Sequence, residues 1–261
     1  MANEHQIHVG TSGYSFPDWH GVFYPPEIPK TKMLDYYQYH FKTVEINSTY
    51  YRIPPITIMQ RIEQKTSPDF RFMVKLPGQY SHARTIESNE HQSFVRCLEP
   101  MKIQGKLKGL LSQFPFSFKH SQVNIKYLKH LKTLFPDDPL FIEFRHVSWN
   151  RNEVIEFLKS ENLGYVTVDA PRLDGLFPFR PDLTNGTAYF RLHGRNPDNW
   201  WDTSQGDRYD YNYTEPEIKD MVAPIKHLQE YGNVYVFFNN CHAGQAILNA
   251  ELLKQVLGLD L

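Results

Sequence analysis

The sequence predicts an α/β fold, a TIM-type (β/α) barrel of eight parallel strands with an incomplete helix ring, and three observations carry that expectation. Short apolar, β-branched runs alternate with longer segments of helical period, the pattern of a parallel sheet with crossover helices. Eight such runs occur in 261 residues, a length at which α/β barrels remain undivided, so residues 1–261 are expected to form one domain. Three of the runs carry polar pairs on one face and apolar residues on the other.

The strands are expected at 6–11, 43–48, 70–76, 107–113, 139–145, 164–169, 187–193 and 233–239. Helical segments follow at 31–42, 55–66, 88–103, 119–135, 151–162, 215–231 and 243–257, several of them entered through Pro or a capping Asn, Thr or Ser. The missing helix belongs between the sixth and seventh strands. There APRLDGLFPFRPDLTNG (170–186) holds too many prolines and glycines for regular helix. After the seventh strand, GRNPDNWWDTSQGDRYDYNYTEPE (194–217) exceeds an ordinary βα connection and reads as a lid or binding loop. It leaves the face on which barrels keep their active sites.

Composition narrows the classes of function. Lys+Arg 28 against Asp+Glu 29 shows no whole-chain nucleic-acid footprint, so nucleic acid stays a possible but unfavoured partner. The opening MANEHQIHVG lacks the basic start, apolar stretch and cleavage site of a signal peptide, and no apolar run is long enough to span a bilayer. A cytoplasmic protein with no membrane partner is expected. Cys97 and Cys241 show no CxxC spacing, which fits a reducing compartment and gives no zinc or iron-sulfur signature. GxxxxGK[ST], strand-linked GxGxxG, HExxH and GxSxG are all absent, and no cofactor is expected.

Strand alternation locates the chemistry. In TVEINS (43–48), LFIEFRH (140–146) and AYFRLHG (188–194), one face is Val44/Ile46, Leu140/Ile142/Phe144 and Ala188/Phe190/Leu192; the other carries Glu45/Asn47, Glu143/Arg145 and Arg191/His193. The outer face of such a barrel packs on helices and must be apolar, so the polar pairs point inward. Buried charge is costly unless paired, and its concentration marks a site. The same rule sends Lys75, Gln113, Asp169 and Asn239 inward at strand ends. Glu45, Glu143 and Asp169 then oppose Lys75, Arg145 and Arg191.

That balance disfavours a divalent metal, which asks for carboxylates and histidines in excess of cations. It suits a small anionic ligand, phosphate or carboxylate, or a sugar-like one. Arg145, Arg191 and Lys75 would bind the anion, and Glu143 would serve as acid or base with Asp169 or His193. A self-satisfied ion-pair network without chemistry is the structural alternative. Arg195 reads as the more solvent-facing neighbour of His193. Asn239-Asn240-Cys241-His242-Ala243-Gly244 ahead of the last helix, with Gly194, offers a possible phosphate cradle or an ordinary helix start. Among the aromatics, Tyr14, Trp19 and Tyr24 follow the first strand, and Trp200, Trp201, Tyr209, Tyr211 and Tyr213 crowd the long loop. They could stack on a sugar or base, with Trp19 and Trp201 the chosen contacts, or pack on one another.

The motifs GTSGYSFPDWHGVFYP (10–25), VEINSTYYRIP (44–54), FMVKLP (72–77), LLSQFPFSF (110–118), FIEFRHVSW (141–149), YFRLHGR (189–195) and VYVFFNNCHAGQAILNA (234–250) resemble the YecE-like family, domain-of-unknown-function family seventy-two. The resemblance covers nearly the whole chain, with Tyr14 where Trp is common and Phe116 where Pro is common. It implies a TIM-barrel fold and a shared site at Glu45, Asn47, Lys75, Gln113, Glu143, Arg145, His193, Asn239 and Asn240, and it supplies no activity. The sequence thus favours a metal-independent acid/base enzyme of undetermined reaction and oligomeric state. A metal-dependent isomerase or phosphoester hydrolase using Glu45, Glu143, Asp169 and His193 is the alternative enzyme, and a nucleic-acid- or protein-binding module the alternative of another class.

Overall fold

The structure is a computed structural model that describes residues 5–204 and 206–259. Eight strands form one parallel sheet in the order β1-β8-β7-β6-β5-β4-β3-β2. They are β1 (Ile7–Thr11), β2 (Thr43–Ile46), β3 (Arg71–Lys75), β4 (Leu107–Gln113), β5 (Leu140–Glu143), β6 (Gly164–Asp169), β7 (Thr187–Leu192) and β8 (Asn233–Phe238). The remaining seam, β1 to β2, is nearly closed: Ser12 bridges to Glu45, and Gly13 N–H donates to the Glu45 carbonyl at 2.9 Å. Gly10 makes this approach possible, because a Cβ there would stand 2.3 Å from the Thr43 carbonyl oxygen.

Seven helices surround the sheet among the described residues: α1 (Met33–His40), α2 (Ile56–Gln64), α3 (Ser88–Ile103), α4 (Gln122–Leu134), α5 (Asn152–Ser160), α6 (Glu215–Gln229) and α7 (Gln245–Leu257). Between β6 and β7 there is no helix, as the prolines of 170–186 predict. None is long and apolar enough to cross a membrane. Their ends follow local capping: Ser121 Oγ accepts from Asn124 N–H at the start of α4, and Thr214 and Glu217 form a reciprocal capping box on α6.

Alternation divides the core in two. Val44, Ile46, Leu140, Ile142, Ala188, Phe190 and Leu192 face the helices in the large outer core. Met73, Leu111, Phe141, Val166, Val168, Tyr189, Tyr235 and Phe237 form a separate apolar cluster inside the barrel. Burying these side chains stabilises each by about 1.5–3 kcal/mol. They also floor the barrel, so polar residues two positions further along the strands lie between that floor and the mouth.

Candidate active site

Above this floor Arg191 spans the barrel. Its Nε and Nη2 donate to the two carboxylate oxygens of Glu45 at 2.8 Å each, and Nη1 donates to Glu143 Oε2 at 2.5 Å. The Tyr189 hydroxyl donates to Glu45 Oε2 from below. On the other oxygen of Glu143, Arg145 Nε lies at 2.6 Å as an ion-pair contact without hydrogen-bond alignment, and His193 Nε2 lies at 3.2 Å. The planar fork of Arg191 is what lets one side chain hold two carboxylates from opposite walls.

Electrostatics follow from these contacts. Burial pushes the Glu143 carboxyl up, but Arg145, Arg191 and His193 together hold it well below the usual carboxylate range. Glu45 is likewise pushed up by burial and pulled lower overall by Arg191 and Tyr189. His193 falls to about 3, through burial and then Arg145, against the pull of Glu143. It is therefore neutral. Asn239 Nδ2 stands 3.0 Å from His193 Nδ1, which accepts, so His193 donates from Nε2 to Glu143.

Lys75 ends β3 beside this assembly. Its Nζ donates to Gln113 Oε1 at 2.9 Å and lies 4.4 Å from the centre of the Tyr50 ring, with no carboxylate in ion-pair range among the described residues. Burial, then the nearby Arg191, lowers its pKa to about 8. A cavity of about 440 Å³ opens over Lys75, Gln113, Arg145, Asn47 and Asn239. A second lobe of about 300 Å³ shares Lys75, Gln113 and Arg145 and is walled by Trp200, Trp201 and Arg208. Two buried polar atoms lining the first lobe, Ser12 Oγ and Asn47 Oδ1, have no protein partner among the described residues.

Several expected positions are corrected. Asp169 does not point inward: Val166 and Val168 are the inner residues of β6, so Asp169 shares the outer face with Tyr165 and Thr167. It accepts from Arg195 Nε at 2.9 Å and Nη2 at 2.9 Å and from the Tyr213 hydroxyl at 2.6 Å, while Arg195 Nη1 also reaches Glu217 at 3.0 Å. Asp169 and Arg195 thus belong to a separate network under the long loop. Arg191 faces the cavity, but its donors are taken by Glu45 and Glu143. Asn240 lies on the outer face of its strand end and holds Asn249 Oδ1 and the Tyr211 carbonyl, both at 2.8 Å.

The phosphate cradle is not there either. Ala243 N–H donates to Asp18 Oδ2 at 2.6 Å, Gly194 N–H donates to the Tyr213 hydroxyl at 2.9 Å, and Gly244 is left-handed (φ 77°), where a Cβ would stand 2.7 Å from the Val22 side chain. Two of the amides such a cradle would use, those of Ala243 and Gly194, are thus already taken by internal oxygens. Trp19 is fully buried and donates to the Cys241 carbonyl at 2.8 Å; it packs the barrel wall. Trp201, 54% exposed, does border the outer lobe, edge-on to Phe116.

Sequence reasoning passed over Tyr50, Tyr51, Asp18, Asp207 and Arg208, which also line the two lobes. Tyr50 and Tyr51 were findable, since they directly follow β2 on the face where barrel sites lie. Asp18 and Asp207 sit in loops whose path no local pattern fixes. Among the described residues, no three His, Cys, Asp or Glu side chains come together so as to hold a metal ion.

Fold and mouth together define a parallel α/β barrel of TIM type with a charged interior. The chain belongs to the family described as "Protein of unknown function DUF72", whose pattern matches residues 8–261. It is 30% identical over 273 residues to the UPF0759 protein YunF of Bacillus subtilis (strain 168), covering 97% of this chain and 95% of that one. The UPF0759 protein YecE of Escherichia coli (strain K12) matches at 33% over 80 residues, 31% of this chain and 27% of that one. A DUF72 family protein from Thermotoga maritima MSB8 superposes with a TM-score of 0.90 at 42% identity, covering 97% of this chain and 100% of that one. One from Enterococcus faecalis V583 gives 0.87 at 28% identity, covering 98% and 97%.

Proposed function

We propose that the barrel mouth is the active site of a metal-independent enzyme that takes a small substrate bearing a phosphate or carboxylate and works by proton transfer. The observation that carries this reading is the surplus cation. With Asp169 outside the cluster and His193 neutral, Glu45 and Glu143 balance Arg191 and Arg145, and Lys75 is left without a counter-charge. The terminal nitrogens of Arg145 make no hydrogen bond among the described residues, and Arg145 lines both lobes. Arg145 therefore receives the anion, with Arg208 across the outer lobe.

Roles shift accordingly. Glu143, held strongly ionised, is an anchor for Arg145, Arg191 and His193, because a carboxylate so stabilised is a poor acid and a poor base. Lys75 is the group whose protonation changes near working pH. Substrate hydroxyls would satisfy Ser12 Oγ and Asn47 Oδ1.

The test is thermal unfolding with phosphate or sulfate at matched ionic strength. A saturable stabilisation is expected, about 2.7 kcal/mol at a hundred times Kd, and it should be lost in Arg145→Gln. Equal response to chloride and phosphate, or an unchanged response in Arg145→Gln, would remove the anion site from this reading.

A further inference from the structure

We propose that Lys75 is a covalent catalyst, forming an imine with the carbonyl carbon of a small aldehyde or ketone that carries a carboxylate or phosphate. This rests on the anion site proposed above and names the substrate class for it.

The geometry distinguishes Lys75 from the other buried amines. Lys106 Nζ is spent on Glu63 and on the carbonyls of Glu63 and Thr66, and Lys254 Nζ donates to the His40 carbonyl. Lys75 donates one N–H to Gln113 Oε1, which fixes the amine on the strand end; Nζ makes no other hydrogen bond among the described residues, and Lys75 lines both lobes of the cavity. A lysine next to other cations in a desolvated site is a nucleophile, since its lone pair is free at a pH where ordinary lysines are protonated. Arg145 lines the same lobe, so an anion seated there would leave the rest of a short molecule over Nζ.

The step balances without an outside oxidant or reductant. The Nζ lone pair bonds to the carbonyl carbon, the C=O π pair moves to oxygen, and one proton passes from nitrogen to oxygen, directly or through water, to give a neutral carbinolamine. A second proton on that hydroxyl lets it leave as water while nitrogen forms the C=N bond. The product is a protonated imine, an electron sink for an adjacent C–H or C–C bond that breaks. The Tyr50 ring, 4.4 Å from Nζ, faces the position at which the protonated imine carries its positive charge.

The experiment uses the full chain at pH 8 with pyruvate, glyoxylate or dihydroxyacetone phosphate as probes, sodium cyanoborohydride to reduce any imine, and intact-mass and tryptic mapping to locate it. The expected result is a single adduct on Lys75, formed on the order of tenfold or more faster than on any other lysine, because the neutral fraction there is far larger. Excess phosphate should slow it, and Lys75→Arg, which keeps a cation, should lose it. Mapping the unmodified protein makes the answer independent of how the variant folds. Adducts spread over surface lysines, or none on Lys75, in a protein that phosphate stabilises would overturn the imine and leave the anion site standing. If phosphate fails to stabilise the protein, the anion site falls and this inference with it.

Discussion

Arg191 holds more of the site than any other residue, and it does so as a structural clamp. Almost fully buried, it is the partner of both Glu45 and Glu143, and its guanidinium fork reaches both walls. Removing it would leave the buried Glu45 without a cation and Glu143 with Arg145 alone, and a buried unpaired charge is worth several kcal/mol of instability. Arg191→Met is therefore expected to cost roughly 3–5 kcal/mol in denaturant unfolding. Stability within about 0.5 kcal/mol of wild type would mean that water or another cation replaces the clamp. The residue was placed correctly by strand alternation, but its role was not. Sequence shows which face a charge occupies; it does not show whether that charge is already satisfied.

At the scale of elements, the strand and helix order and the bare β6–β7 connection were legible because period and proline content state them directly. Alternation also placed Glu45, Lys75, Gln113, Glu143, Arg145, Arg191 and His193, since each of those strands contrasts a polar face with an apolar one. It failed on β6, where Tyr165, Thr167 and Asp169 share one face and Val166 and Val168 the other, and the valines are the side turned into the barrel, the reverse of β2, β5 and β7. The misplaced Asp169 turns out to fasten the long loop after β7. Its carboxylate holds Arg195 and Tyr213, and Tyr213 in turn takes the Gly194 amide. Within that loop Trp200 and Tyr209 lie over His193, with ring centres 6.4 and 6.1 Å away. Tyr213→Phe should cost about 1–3 kcal/mol by leaving a buried acceptor and an N–H short of a partner. It should also speed proteolysis between residues 195 and 210. Unchanged cleavage there would show that the loop is held by its aromatic packing alone.

Across the whole molecule, a chain of formal net charge -1 places its charges unevenly at the mouth. Lys75, Arg145 and Arg208 line one lobe, which has no carboxylate in its lining, while Asp18 and Asp207 join Lys75, Arg145 and Arg191 around the other. Such separation raises the local concentration of an anion over the basic side. It also has a thermodynamic mark. Lys75 binds its proton less tightly in the barrel than in the unfolded chain, about 8 against 10.5. The unfolded state therefore holds more protons in that interval, and the contribution of Lys75 to stability rises with pH through it. At neutral pH the protein keeps a destabilising amine, as functional sites commonly do.

The most direct measurement is the titration of Lys75 itself, by NMR of the labelled side chain with its signal assigned through Lys75→Arg. The account predicts a midpoint about 8, moving upward when phosphate is added at matched ionic strength because an anion favours the charged amine. A midpoint near the ordinary lysine value of about 10.4, indifferent to phosphate, would contradict it.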